Sequence, residues 1–158
     1  MEASDLRFAY LLGHEKPKAL LREAVAKNKM GHAYLFRGPD GVGKKRTALT
    51  LAAYINCKSP LGGDSCGRCN VCRKYFSANH PDLILVEPDG AAIKIGQIRK
   101  LKHQLTFSPL EARVRVVILE DIVDKQGTLT TETTFRTSWA LPELEHGAGA
   151  IGIAANGF

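Results

Sequence analysis

The run GPDGVGKK, residues 38–45, carries the glycines and the lysine with which a chain cradles phosphate. The pattern G-x-x-x-x-G-K-[ST] works through three parts. Glycines let backbone N–H groups turn toward phosphate oxygens, the next helix supplies the positive end of its dipole, and the lysine reaches the outer phosphates. Gly38, Gly43 and Lys44 meet the pattern, and Gly41 and Val42 suit the turn. At the last position, however, Lys45 replaces the Ser or Thr whose hydroxyl would ligate magnesium. An ammonium has no lone pair to give and repels the cation. Thr47 is two residues on and points elsewhere on a helix. A second half of such a site needs acids at a neighbouring strand end, which VVILED offers. Glu120 takes the metal-associated position and Asp121 that of the water-activating acid, in the reverse of the usual Asp-Glu order. The reading is a nucleotide loop, comprising Gly38, Gly41, Val42, Gly43, Lys44 and Lys45, that can take ATP, disfavours Mg²⁺ and hydrolyses weakly or not at all. A Gly-rich turn in another α/β protein, and an exposed acidic turn, are the alternatives.

Cys57, Cys66, Cys69 and Cys72 form a second group, spaced C-x8-C-x2-C-x2-C. Two-residue gaps let successive thiolates converge on one tetrahedral ion, and the longer gap lets the fourth return from a preceding helix. Four sulfurs fit structural zinc with a closed shell. A redox pair and an iron–sulfur cluster are the competing uses of such cysteines. His80 lies eight residues beyond Cys72 and reads as part of a turn before a strand.

The elements that must position these groups alternate. Leu20/Ala24 and Leu21/Val25 put an apolar stripe on a helix over residues 16–30. HAYLF, residues 32–36, reads as a buried strand ending at the glycines, and Ala48, Leu51, Ala52 and Ile55 share one face of the helix that follows. Residues 57–72 read as an insertion without a core of its own, so that Cys69→Ser is expected to release the metal and leave the sheet folded. DLILVEP (82–88) and VRVVILED (114–121) are two more buried strands, separated by a helix marked by Ile95, Ile98, Leu101 and Leu105. Strands apolar on both faces and alternating with helices predict an α/β fold, a parallel sheet flanked by helices and carrying a small zinc insertion. AIGIAAN (150–156) is either a fourth strand or part of a frayed tail.

With 44% hydrophobic and 24% charged residues, the chain has the composition of a folded domain. Its formal charge of +6 is compatible with a polyanionic partner, but the basic residues are dispersed, which gives no specific sign of direct DNA contact. No stretch reaches the ~18 apolar residues of a membrane span, and the N-terminus lacks a signal-type apolar run. A cytoplasmic location is expected, where a reducing medium favours metal binding over disulfides.

In this order the pieces resemble the N-terminal AAA+ module of bacterial DNA polymerase III clamp-loader subunits. The resemblance runs from LLGHEKPKALLREAVAKNKMGHAYLFRGPDGVGKKRTALTLAAYINC through the cysteines and HPDL to RVRVVILED, roughly residues 8 to 121. Gamma/tau subunits keep Gly-Lys-Thr in the loop, whereas GKKRT is similar to the altered loop of the delta-prime type. The resemblance implies a non-hydrolysing subunit of the replicative polymerase assembly that helps place the sliding clamp on primed DNA. Its implied partners are the gamma/tau and delta subunits, with clamp and DNA reached through the complex, and no membrane. An active ATPase of the gamma/tau type, or a zinc-stabilised interaction module that binds no nucleotide, are the other readings. Residues 1–121 would be the AAA+ core. In residues 122–158 the family's acid-acid-Pro turn and Ser-Arg-Cys motif are not legible, so this part reads as a divergent remainder or the end of a fragment. Arg136 is not assigned the role of an arginine reaching a neighbouring site.

Overall fold

The structure, a computed structural model, describes residues 6–90, 93–121 and 150–156, the last of these by backbone alone. Four parallel strands, β1 (Ala33–Arg37), β2 (Leu83–Val86), β3 (Arg115–Glu120) and β4 (Ala150–Asn156), form one sheet in the order β1-β4-β3-β2. Leu83 to Val86 lie opposite Val116 to Leu119, and β4 pairs with β3 on one side and β1 on the other. Of the two readings of AIGIAAN, the strand is the one the fold adopts.

Among the described residues, four α-helices connect and cover the sheet: α1 (Glu15–Ala26), α2 (Lys44–Asn56), α3 (Asn70–Phe76) and α4 (Ile95–Leu105). Because side chains alternate along a strand, the apolar run of β3 divides between two cores. Val116 and Ile118 pack with Leu83, Leu51, Ala52 and Ile55 on the α2 face. Val117 and Leu119 pack with Val86, Ile98 and Leu101 on the α4 face. This two-sided covering is why β2 and β3 read as unbroken apolar runs.

Two expectations need correction. The first helix stops at Ala26, short of residue 30, and Asn28 just beyond it takes a left-handed φ of 51°. Of its two apolar rows only Leu21/Val25 meets the core, and Leu20 is 67% exposed. β1 is not buried: among the described strands it is an edge, its exposure alternates, and Leu35 stays 52% exposed. The cysteine insertion, expected to lack a core of its own, leans on the main one. Its last cysteines open α3, whose Val71 and Tyr75 are fully part of the α2-side core. The Asn56 amide also donates to the Tyr75 hydroxyl at 2.8 Å, tying α2 to α3.

A buried carboxylate organises the loop between α4 and β3. Asp82 is wholly buried and accepts the backbone N–H groups of Leu110, Glu111 and Ala112 at 2.8 Å each. Arg115 donates to the same carboxylate at 3.2 Å and to the carbonyls of Gln104, Phe107 and Ser108. Burial raises the Asp82 pKa, but the three amides and the guanidinium outweigh it and hold the group below its ordinary range.

Candidate functional site

β1 delivers the chain to Gly38 at one end of the sheet, and α2 begins immediately after Gly43. Gly41 and Gly43 have φ of 77° and 94°, conformations that any side chain would strain, which explains glycine at both places. No side chain caps the amino end of α2. Such an end carries the positive pole of the helix and unpaired amides, the features that favour a bound anion. The Thr47 hydroxyl donates to the Gly43 carbonyl at 2.9 Å and so turns back into its own helix, as its position predicts.

Lys44 lies over the loop. Its ammonium donates to the carbonyls of Gly38 at 2.8 Å and Pro39 at 2.9 Å, with the Asp40 carboxylate 3.7 Å away. The loop thus holds its lysine internally, and a bound phosphate would have to compete with two carbonyl oxygens for it.

Lys45 makes the more informative contacts. Its ammonium lies 2.5 Å from Glu120 at the end of β3 and 3.0 Å from Glu87 just past the end of β2. The contact with Glu120 is the main reason the Lys45 pKa is raised; partial burial opposes it and Glu87 adds to it. In turn the hydrogen bond from Lys45 lowers the pKa of Glu87. A fixed monovalent cation therefore occupies the gap between the two strand-end acids. Asp121, the second acid of the predicted pair, is exposed with a left-handed φ of 48° and makes neither contact. Together Gly41, Gly43, Lys44, Lys45, Glu120 and Asp121 line one cavity of about 510 Å³. Sequence reasoning missed Glu87. The signal was an acid directly after the apolar run in DLILVEP, the same pattern that singled out Glu120.

A second groove, of about 270 Å³, shares Lys44 with this cavity. Leu11, Leu21, Leu35 and Val42 give it apolar walls, and His14 and Thr47 border it.

The cysteines converge. The sulfurs of Cys57, Cys66, Cys69 and Cys72 all lie within 4.8 Å of one another, with Cys66 and Cys72 at 3.9 Å. Zn–S bonds of about 2.3 Å in a tetrahedron require sulfurs about 3.8 Å apart, so the group is close to a ligand cage. Backbone amides already point at the sulfurs: Cys66 N–H to Cys57, Cys69 N–H to Cys66, and Cys72 N–H to Cys69, at 3.3–3.4 Å. Burial pushes the Cys66 thiol up, but the amides of Arg68 and Cys69 and the neighbouring sulfurs outweigh it and bring it down to about 6. Burial dominates at Cys57 and Cys72 and raises both. The donor set, all soft sulfur with amide support for thiolate charge, fits a structural metal ion. His80 stands apart from it. Its Nδ1 accepts the Asp82 amide at 3.1 Å, and its ring stacks on Tyr75 with centroids 4.4 Å apart. No helix among the described residues is long and apolar enough to cross a membrane.

Comparison with known proteins places this geometry in context. Residues 13–128 match the family model for DNA polymerase III, delta subunit. The chain is 40% identical over 100 residues to the DNA polymerase III subunit delta' of Bacillus subtilis, covering 63% of this chain and 30% of that protein. It is 30% identical over 115 residues to DNA polymerase III subunit tau of Escherichia coli, covering 73% of this chain and 18% of that one. The chain thus spans about a third or less of the curated relatives it matches. In fold it is similar to a DNA polymerase III gamma subunit-related protein of Thermotoga maritima, with a TM-score of 0.53, 20% identity, and 89% of this chain and 38% of that chain covered.

Proposed function

Because this chain belongs to the DNA polymerase III delta-subunit family, as a partial chain of the delta-prime clamp-loader type, we propose that it serves replication as a clamp-loader component that does not hydrolyse ATP. The observation that carries this reading is the position of Lys45, whose ammonium sits between Glu87 and Glu120. Phosphoryl transfer depends on a divalent ion to gather and neutralise charge on the phosphates. Here the carboxylate that would help hold such an ion is already paired with a lysine of the protein. Magnesium could take that place only by displacing the ammonium from both acids, and the tethered Lys45 would stay close enough to repel it.

In this reading residues 38–45 form a phosphate loop of the AAA+ type. ATP binds, if Lys44 swings outward from the Gly38 and Pro39 carbonyls, through Lys44 and the loop amides. Cys57, Cys66, Cys69 and Cys72 would hold Zn²⁺, which supplies a rigid crosslink and no chemistry. The partners are the gamma/tau and delta subunits, with the sliding clamp and primed DNA reached through the assembled loader in the cytoplasm. The gamma/tau-like similarity favours an active ATPase as the competing reading, and Lys45 is what argues against it.

Calorimetric titration of ATP, with and without Mg²⁺, into the native chain and Lys45→Thr tests the proposal. Binding that ignores magnesium in the native chain and depends on it in Lys45→Thr is the expected result. Magnesium-dependent turnover by the native chain would overturn it.

A further inference from the structure

The N-terminal segment before α1 connects the cysteine cluster to the apolar groove beside the loop. Leu6, Phe8 and Leu11 of this segment are buried, with Phe8 edge-on to Tyr54 of α2. Its polar attachments go to the cysteine insertion. The Asp64 carboxylate accepts the amides of Phe8 and Ala9, each at 3.1 Å, one on each oxygen. The Ser65 hydroxyl donates to the Leu6 carbonyl at 2.8 Å. Asp64 and Ser65 are buried and directly precede Cys66. A tight turn fixes them: the amides and carbonyls of Leu61 and Asp64 pair with each other, and Arg22 of α1 holds the Gly62 and Gly63 carbonyls. At the far end of the segment, the Leu11 carbonyl accepts the buried Lys18 ammonium at 2.7 Å, and Leu11 and Lys18 both border the groove.

We propose that metal occupancy of the cysteine cluster latches residues 6–11 in place and thereby sets one wall of the groove beside the phosphate loop. The inference rests on the reading of the cluster as a metal site. The eight residues between Cys57 and Cys66 are pinned at Gly62 and Gly63 by Arg22, and the end that carries Asp64 and Ser65 is pinned by Cys66. Metal–sulfur bonds hold Cys66 firmly, while free thiols give only weak contacts. Loss of the ion frees the Cys66 end of the turn, the Asp64 carboxylate loosens from the Phe8 and Ala9 amides, and Leu11 loses its anchor on one side. The cluster then acts on the groove at a distance, through one carboxylate and one hydroxyl.

Hydrogen–deuterium exchange on the whole chain tests this, with zinc content measured on the same samples. Removing zinc with a chelator should speed exchange in residues 6–12 by about tenfold or more, the consequence of losing hydrogen bonds to a charged acceptor. Peptides covering β2 and β3 should keep their protection. Asp64→Ala should reproduce the same local gain with zinc still bound at one ion per chain. A chain that takes up no zinc overturns both the metal reading and the latch. A chain that loses zinc without faster exchange in residues 6–12 overturns the latch alone. Should zinc removal unfold the entire chain, the latch is overturned, because the ion then holds the fold as a whole and not residues 6–12 in particular.

Discussion

Asp82→Asn is the perturbation whose cost the structure defines most closely. One carboxylate oxygen accepts Leu110 N–H and Arg115, and the other accepts Glu111 N–H and Ala112 N–H. Asparagine keeps the shape but offers a single oxygen; its amide nitrogen brings N–H groups. Whichever way it turns, two of the four bonds are lost and donors face donors. Bonds to a charged group are worth about 1.5–3 kcal/mol each, so two give about 3–6 kcal/mol. Arg115, whose side chain is only 8% exposed, also loses its counter-charge. Breaking a buried pair from one side costs about 3–5 kcal/mol, a figure that describes the same loss and does not add to the first. The expected destabilisation is therefore about 3–5 kcal/mol, a large share of the ~5–15 kcal/mol that holds a domain together. Urea unfolding followed by far-UV circular dichroism measures it. A loss below about 1 kcal/mol with an unchanged slope would refute the reasoning, because the network would then be satisfied as well by water as by Asp82.

The same group predicts a pH dependence. The Asp82 pKa is depressed below its ordinary 3.8 on folding, so its contribution is complete above that value and is lost as pH falls through the lower folded value; Asp82→Asn should flatten this acid limb of a stability profile. Lys45 runs the other way. Its pKa is raised above 10.5, so its contribution is full below 10.5 and disappears as pH rises past the folded value. Because Lys45 is 42% exposed, Lys45→Met should cost no more than about 1 kcal/mol at neutral pH, less in high salt, as chemical denaturation at two ionic strengths would reveal. Gly43→Ala places a Cβ on a residue with φ of 94° and should cost about 1–2 kcal/mol in the same unfolding assay. Tyr75→Phe removes the hydroxyl that accepts from Asn56 and should cost about 1 kcal/mol, with Asn56 retaining its bond to the Val114 carbonyl.

What the sequence determined by itself was whatever depends on local pattern. The apolar runs LILV and RVVILE read as strands covered on both faces, and the glycines before KKRT as a strand-to-helix turn, since backbone conformation and side-chain alternation are short-range properties. The cysteine spacing likewise indicated a four-sulfur site before any distance was known. Tertiary structure decided where chain segments distant in sequence meet. Glu87 joins Glu120 at Lys45 because β2 and β3 are neighbours in register, and no spacing within the chain records that adjacency. Leu20 and Leu35 carried the same apolar signal as Leu21 and Phe36, yet their exposure was set by which faces the other elements happened to cover. The short α3 escaped notice because a seven-residue helix shows scarcely two turns of periodicity, and its stability comes from burying Val71 and Tyr75 against α2. Asp64 looked like an ordinary loop acid. Only the fold, by bringing residues 6–11 back across the insertion, made it the acceptor that holds the N-terminal segment.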